Sequence, residues 1–172
     1  MGTIAFKAGY IPEHGDSPVL PKSGLQLAAL LDEMNSSRNE NCNYLTIFCI
    51  DSDGSHRAQM GVGIRAGDSA GSLYYIGPEG DSYSIGSRVS DVPIAYYDFG
   101  NERLFAPGSQ IPLDAMKNAL VQLFDRKGAR PDCVEWQEWQ GWIADLDDDD
   151  DDDVRMDSTA QAPSPDFSDP PF

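Results

Sequence analysis

Basic residues are scarce in this chain: 12 Lys and Arg stand against 29 Asp and Glu in 172 residues, a formal net charge of −17. Phosphate backbones repel such a surface, and no basic block is present to release condensed counterions, so direct nucleic-acid binding is not expected. The expected partners are basic. Long apolar runs are also missing: nothing approaches the roughly 18 consecutive apolar residues of a spanning helix. The opening MGTIAFKAGYIPEHG has neither the basic start nor the long apolar stretch of a signal peptide. The chain therefore reads as cytoplasmic, with no membrane partner.

Residues that carry chemistry are few. Cys42, Cys49 and Cys133 form neither a CxxC pair nor an even disulfide framework, so they read as reduced thiols packed like small hydrophobes. His14 and His56 lie in loop-like contexts, without the second-ligand spacing of a zinc site or the HxE and CxxC pair of the zinc deaminases. The GVG at Gly61 to Gly63 sits inside a strand pattern, which is the wrong context for a nucleotide fingerprint. DSDG at Asp51 to Gly54 begins like a calcium loop, yet Val62 occupies the twelfth position, where a bidentate Glu is required; a hairpin turn fits better. No cofactor, metal or catalytic set is expected. Isolated carboxylates such as Asp98 or Glu135 keep a small hydrolase or transferase as a weaker alternative.

Two amphipathic helices and a series of strands make up the body. In SGLQLAALLDEMNSS, Ser23 is the N-cap with Gln26 three residues on, and Leu27, Leu30, Leu31 and Met34 form one face. In IPLDAMKNALVQLFDRKG, Pro112 and Asp114 open a helix whose apolar face is Leu113, Met116, Leu120, Leu123 and Phe124; Gly128 is its left-handed stop, and Pro131 forbids continuation. YLTIFCI is apolar on both faces, and AQMGVGIR alternates as a half-buried strand. SLYYIG, DSYSIGS and VPIAYYDFG follow at short spacing, and DCVEWQEW adds a last strand. The short connections favour a meander over parallel crossovers. The expected fold is α+β: a central antiparallel sheet of about five to six strands with both helices on one face.

The strand pattern sets Met60, Val62, Ile64, Tyr83 and Ile85 on one side and Gly61, Gly63, Ser82, Ser84 and Gly86 on the other. Such a small-residue patch admits a covering loop or a docking backbone, and both readings stay open. Trp136, in phase with Val134, is expected in the core, whereas Trp139 has the opposite phase and Trp142 follows it. Residues 145–172 hold eleven acidic residues and one basic, against eighteen and eleven in 1–144, so most of the imbalance is terminal. This places an α+β domain at 1–143 and an acidic, Pro- and Ser-rich disordered tail at 144–172. The candidate partner-binding set is Trp139 and Trp142 with Glu135, Glu138, Asp145, Asp147 and Asp148, joined by Asp98, Glu79 and Asp81.

The segments SLYYIGPEGDSYSIGS, VPIAYYDFG and IPLDAMKNALVQLFDRKGARPDCVEWQEW resemble, in that order, the first-numbered family of immunity proteins from bacterial polymorphic toxin systems. The similarity spans about residues 44–140. Its most specific part is a helix closed by Gly, then Arg-Pro, then a strand with Trp-Gln, here Gly128, Arg130, Pro131, Trp136 and Gln137. Tyr83, Ser84 and Gly86 add a weaker Tyr-Ser-x-Gly piece. The resemblance implies an α+β antitoxin that is not an enzyme and binds one toxin, one to one, typically a nucleic-acid deaminase with a basic surface. An acidic chaperone for a basic nucleic-acid-binding protein is the competing reading from charge alone.

Overall fold

The computed structural model describes residues 2–140. Its elements run β1 (Ala5–Gly9), α1 (Glu13–Asp16), α2 (Gly24–Ser37), β2 (Tyr44–Ile50), β3 (His56–Gly63), β4 (Ala70–Ile76), β5 (Ser82–Ser84), β6 (Ile94–Asp98), β7 (Asn101–Phe105), β8 (Ile111–Pro112), α3 (Leu113–Asp125) and β9 (Trp136–Gln137). Among the described residues, seven strands form an antiparallel sheet in the order β1-β2-β3-β4-β5-β9, with β8 also pairing β4. The sheet is the expected meander with helices on one face. β6 and β7 form a separate two-stranded sheet.

Both helices end as their sequences direct. Ser23 Oγ accepts from Gln26 N–H at 3.1 Å, and Gln26 Oε1 accepts from Lys22 N–H at 2.7 Å, so two donors at the start of α2 are satisfied reciprocally. At the end of α3, Gly128 N–H reaches Leu123 C=O and Lys127 N–H reaches Phe124 C=O, which is a Schellman closure. The left-handed stop expected at Gly128 thus begins one residue earlier, at Lys127 (φ 55°), with Gly128 (φ 88°) following. Gly128 is needed for a second reason: a Cβ there would lie 3.0 Å from that of Cys49.

The core lies between the helices and one sheet face. Leu27, Leu31, Met116, Leu120 and Leu123 pack on Leu45, Ile47, Met60, Val62, Leu73 and Tyr75, all of them fully buried. Phe6 stacks on Phe124 at 4.6 Å. Gly24 lets the helices approach closely, since a Cβ there would sit 2.9 Å from the Val121 backbone. Cys49 is buried in this core, which pushes its thiol up to about 12 and leaves it inert, whereas Cys133 is exposed.

One expectation about the sheet is corrected by the register. Met60 faces Tyr75, which faces Ser82; Gly61 faces Tyr74, which faces Tyr83. Tyr83 therefore shares the glycine side, and Ser82 shares the helix side with Met60. The phase slipped because alternation is not carried through a turn, and a one-residue error inverts every side chain. The compact unit runs to Trp139. The boundary expected at 143/144 and the acidic tail lie outside the described residues.

Candidate functional site

The sheet face opposite the helices carries a second, aromatic cluster. Tyr44, Tyr96 and Phe105 are its buried centre, with Tyr74, Tyr83 and Ile94 packed around them. Phe105 meets Tyr96, Tyr83, Tyr44 and Tyr74 edge-on at 5.0, 5.6, 5.8 and 6.4 Å. The hairpin β6–β7 therefore lies over part of this face. Its Tyr96 covers Gly63, and Tyr44 covers Gly61, so closely that a Cβ at either glycine would collide with the ring. Of the two readings left open for the small-residue patch, internal packing is the one observed, and no bare docking surface exists at these glycines.

Hydroxyls fasten the hairpin to the sheet. Ser72 Oγ lies 3.1 Å from Tyr96 Oη, and Ser109 Oγ donates to Ser72 Oγ at 2.8 Å. Ser84 Oγ donates to Ser109 C=O at 2.6 Å and accepts from Leu73 N–H at 3.0 Å. All three serines are buried, and each has its partners, so the network holds the hairpin without a desolvation penalty. No base is bonded to any of these hydroxyls, so the set lacks the pairing of an activated nucleophile.

Among the described residues, the aromatic face is open beyond the hairpin's cover. Tyr74 stacks on Tyr83 at 4.4 Å, and Trp139 meets Tyr83 edge-on at 5.5 Å. These three rings are half-buried and form a ladder from β4 through β5 to the chain leaving β9. Burial, then the neighbouring Tyr74 and the Asp81 carboxylate, push Tyr83 up to about 12; burial and Asp81 raise Tyr74 as well. Both rings therefore stay neutral donors beside an exposed carboxylate. At the other end of the face, a groove of about 400 Å³ runs beside the hairpin tip, lined by Lys7, His14, Thr46, Phe48, Asp98 and Phe99.

The Gly-Arg-Pro and Trp-Gln residues form one fastening on the opposite side of β5. Trp136 Nε1–H donates to Pro131 C=O at 2.7 Å, and the Arg130 guanidinium lies 5.9 Å from the Trp136 ring centre. Arg130 Nη1 donates to Ser82 Oγ at 3.1 Å. Tyr75 Oη sits 2.7 Å from Glu79 Oε2 and 2.9 Å from Gly128 C=O, donating into that pair. Burial opposes the charge on Glu79, but the bonds from Tyr75 and from Arg130 N–H, with the Arg130 charge, outweigh it and hold the carboxyl below its usual value. Gln137 Nε2–H donates to Ser84 C=O at 3.0 Å. The group pins a two-residue strand, too short to hold itself, onto the sheet edge.

The candidate residues distribute between these two places. Trp139 and Asp81 belong to the open aromatic face. Asp98, half-buried at the hairpin turn, pairs with Arg103 at 3.1 Å. Glu79 works in the fastening, away from the aromatic ladder. Glu135 and Glu138 are exposed, and Glu135 C=O accepts from Ile85 N–H at 2.9 Å. Trp136 is half-buried against the core instead of fully inside it, because its ring lies under Arg130 with Nε1 turned to Pro131. Gly128 and Pro131 are buried. Trp142, Asp145, Asp147 and Asp148 lie outside the described residues. The sequence reading missed Tyr74, Phe105 and Phe99; the Tyr-Tyr pair in SLYYIG signalled aromatic side chains on both faces of β4.

Among the described residues, no group of three His, Cys, Asp or Glu could hold a metal ion, and no helix is long and apolar enough to cross a membrane. What the fold and this face define is an α+β protein with one sheet face spent on its core and the other presenting a partly covered aromatic surface. Residues 15–138 match the family of immunity protein Imm1, and the chain belongs to that family. No match to a curated protein accompanies it. Membership in an immunity-protein family implies a binding role toward a cognate toxin and a non-enzymatic one.

Proposed function

We propose that this chain is the antitoxin of a toxin–immunity pair, acting in the cytoplasm, and that it neutralises a nucleic-acid deaminase toxin one to one by occupying its basic substrate groove. The observation that carries the reading is the half-exposed ladder of Tyr74, Tyr83 and Trp139 beside Asp81. Aromatic anchors supply slow dissociation, and acidic surroundings supply fast encounter with a basic partner. A toxin that acts on DNA or RNA needs a basic groove, and a chain of net charge −17 suits it as a substrate mimic.

Co-expression tests this directly. Growth of cells producing the toxin domain encoded beside this chain's gene is expected to be restored by the chain, with a one-to-one complex on sedimentation. Unrelieved killing despite folded protein ends the reading. A purely electrostatic chaperone separates by salt: its complex dissociates at high ionic strength, whereas a complex built on the aromatic ladder retains most of its affinity.

A further inference from the structure

Among the described residues, the hairpin β6–β7 carries a free strand edge. Tyr97 N–H donates to Asn43 Oδ1 at 2.6 Å, and Tyr97 C=O accepts from Asn43 N–H at 3.1 Å. Ala95 C=O accepts from Arg65 Nη2 at 3.3 Å. The backbone groups of Tyr97 and Ala95 therefore point away from β7. In an antiparallel ladder, facing pairs alternate between those that exchange hydrogen bonds and those that turn both residues' groups outward. Tyr97 faces Glu102 and Ala95 faces Leu104, so Glu102 and Leu104 aim N–H and C=O at the outer side of β7. Among the described residues, nothing pairs with them there, and Asn101 through Leu104 are exposed.

The tip of the same hairpin is strained. Phe99 and Gly100 form its two-residue turn with φ of 51° and 82°, the signs of a type I′ turn, whose first place favours Asn, Asp or Gly. A bulky residue at positive φ is an outlier, and outliers that the surrounding structure maintains gather at binding sites. Phe99 is nonetheless 45% exposed, above the groove that includes Phe48 and Lys7.

We propose that an extended segment of the toxin adds as a strand to the outer edge of β7, with Phe99 as its apolar anchor. This rests on the antitoxin reading above and specifies how the toxin is gripped: main-chain bonds from Glu102 and Leu104, and an aromatic contact at the turn. A second copy of the chain is a poorer occupant. The two-fold registers confined to residues 101–104 set Arg103 against Arg103 or Glu102 against Glu102, and like charges directly opposite destabilise a strand pair. They also bring together two chains of net charge −17, whereas a basic toxin is attracted.

Proline separates main-chain pairing from side-chain contact. Glu102→Pro removes an outward N–H and no bond of the hairpin, a substitution that edge strands tolerate, while Glu102→Ala removes the same carboxylate and keeps the N–H. Calorimetry with the toxin domain encoded beside this chain's gene is expected to show Glu102→Pro at least tenfold weaker than Glu102→Ala. Phe99→Asn is expected to weaken binding at least tenfold while the melting temperature holds or rises. In the unmodified protein, the Glu102 and Leu104 amides are expected to exchange rapidly when free and slowly in the complex, with Arg103 protected in both. A tight complex in which those two amides stay unprotected, or in which the two Glu102 variants bind alike, overturns strand addition and leaves the antitoxin reading standing. Protection of these amides in the free chain together with dimeric sedimentation overturns it in favour of a second copy. Failure of the unmodified chain to bind overturns both readings.

Discussion

The two faces of the central sheet are made by alternate residues of the same strands, and they differ in what covers them. Behind Leu45, Ile47, Met60, Val62 and Leu73, two helices close a core of fully buried aliphatic side chains. Behind Tyr44, Gly61, Gly63, Tyr74 and Tyr83, the described residues place a two-stranded hairpin that reaches part of the way. One face buries its central aliphatic side chains fully; the other leaves large amphipathic rings half in water. Aromatic rings tolerate that position, because each offers a broad apolar surface and the tyrosines keep a hydroxyl for the solvent or a partner. On the antitoxin reading proposed above, the division assigns stability to the helix side and recognition to the hairpin side.

The sharpest break of this comparison uses two tryptophans three residues apart. Trp136→Ala removes a ring packed on the core along with the bond to Pro131, and a stability loss of about 3 kcal/mol is expected. Trp139→Ala takes away a ring that meets Tyr83 of the open ladder; its denaturation midpoint is expected to stay near the parent's while affinity for the toxin falls at least tenfold, about 1.4 kcal/mol. Chemical denaturation and calorimetry on both variants check the pair. Equal stability losses would erase the distinction between the faces.

A smaller effect is expected at Gly63. An added Cβ collides with the Tyr96 ring, so Gly63→Ala has to lift the hairpin or displace β3, at a cost of about 2 kcal/mol. Because the helix face is untouched, the loss should appear as faster amide exchange in β6 and β7 with little change in α2 and α3. Uniform loosening of both faces would mean that the hairpin is as integral to the core as the helices are.

The smallest effect concerns residues 147–172, with their run of aspartates. Their deletion is expected to leave the melting temperature and the dissociation rate unchanged and to slow association at low salt, as loss of steering charge does. Stopped-flow association measured against ionic strength checks it. Equal on-rates at low salt would reduce the segment to a solubility device.

What the sequence disclosed follows the range of the forces involved. Local signals were legible: the Ser23 and Gln26 cap, the apolar face of α3, the β2–β3 hairpin at Gly54 and the meander itself. β1 was not legible, since AFKAG is short and its partner β2 lies some forty residues on; nor was β7, whose NERLF is charged and exposed and carries no alternation. The open face was half legible. Trp139 was placed in the correct phase, but its neighbours Tyr83 and Tyr74 were not identified, because their side is set by a register across two turns. The cover over Gly61 and Gly63 comes from rings at positions 44 and 96, a purely tertiary fact.

The buried hydroxyl network of Ser72, Ser84, Ser109 and Tyr96 has a consequence for how this protein can change over generations. Together with the Tyr97–Asn43 and Ala95–Arg65 bonds it holds the hairpin from its inner side, whereas among the described residues the backbone groups of Glu102 and Leu104 on the outer edge make no bond that holds it, and Phe99 at the tip is 45% exposed. Substitutions there alter the outline that a partner meets while the scaffold stays folded. A lineage facing a rival whose surface drifts can follow it one residue at a time, each step free of the stability threshold that constrains the helix side.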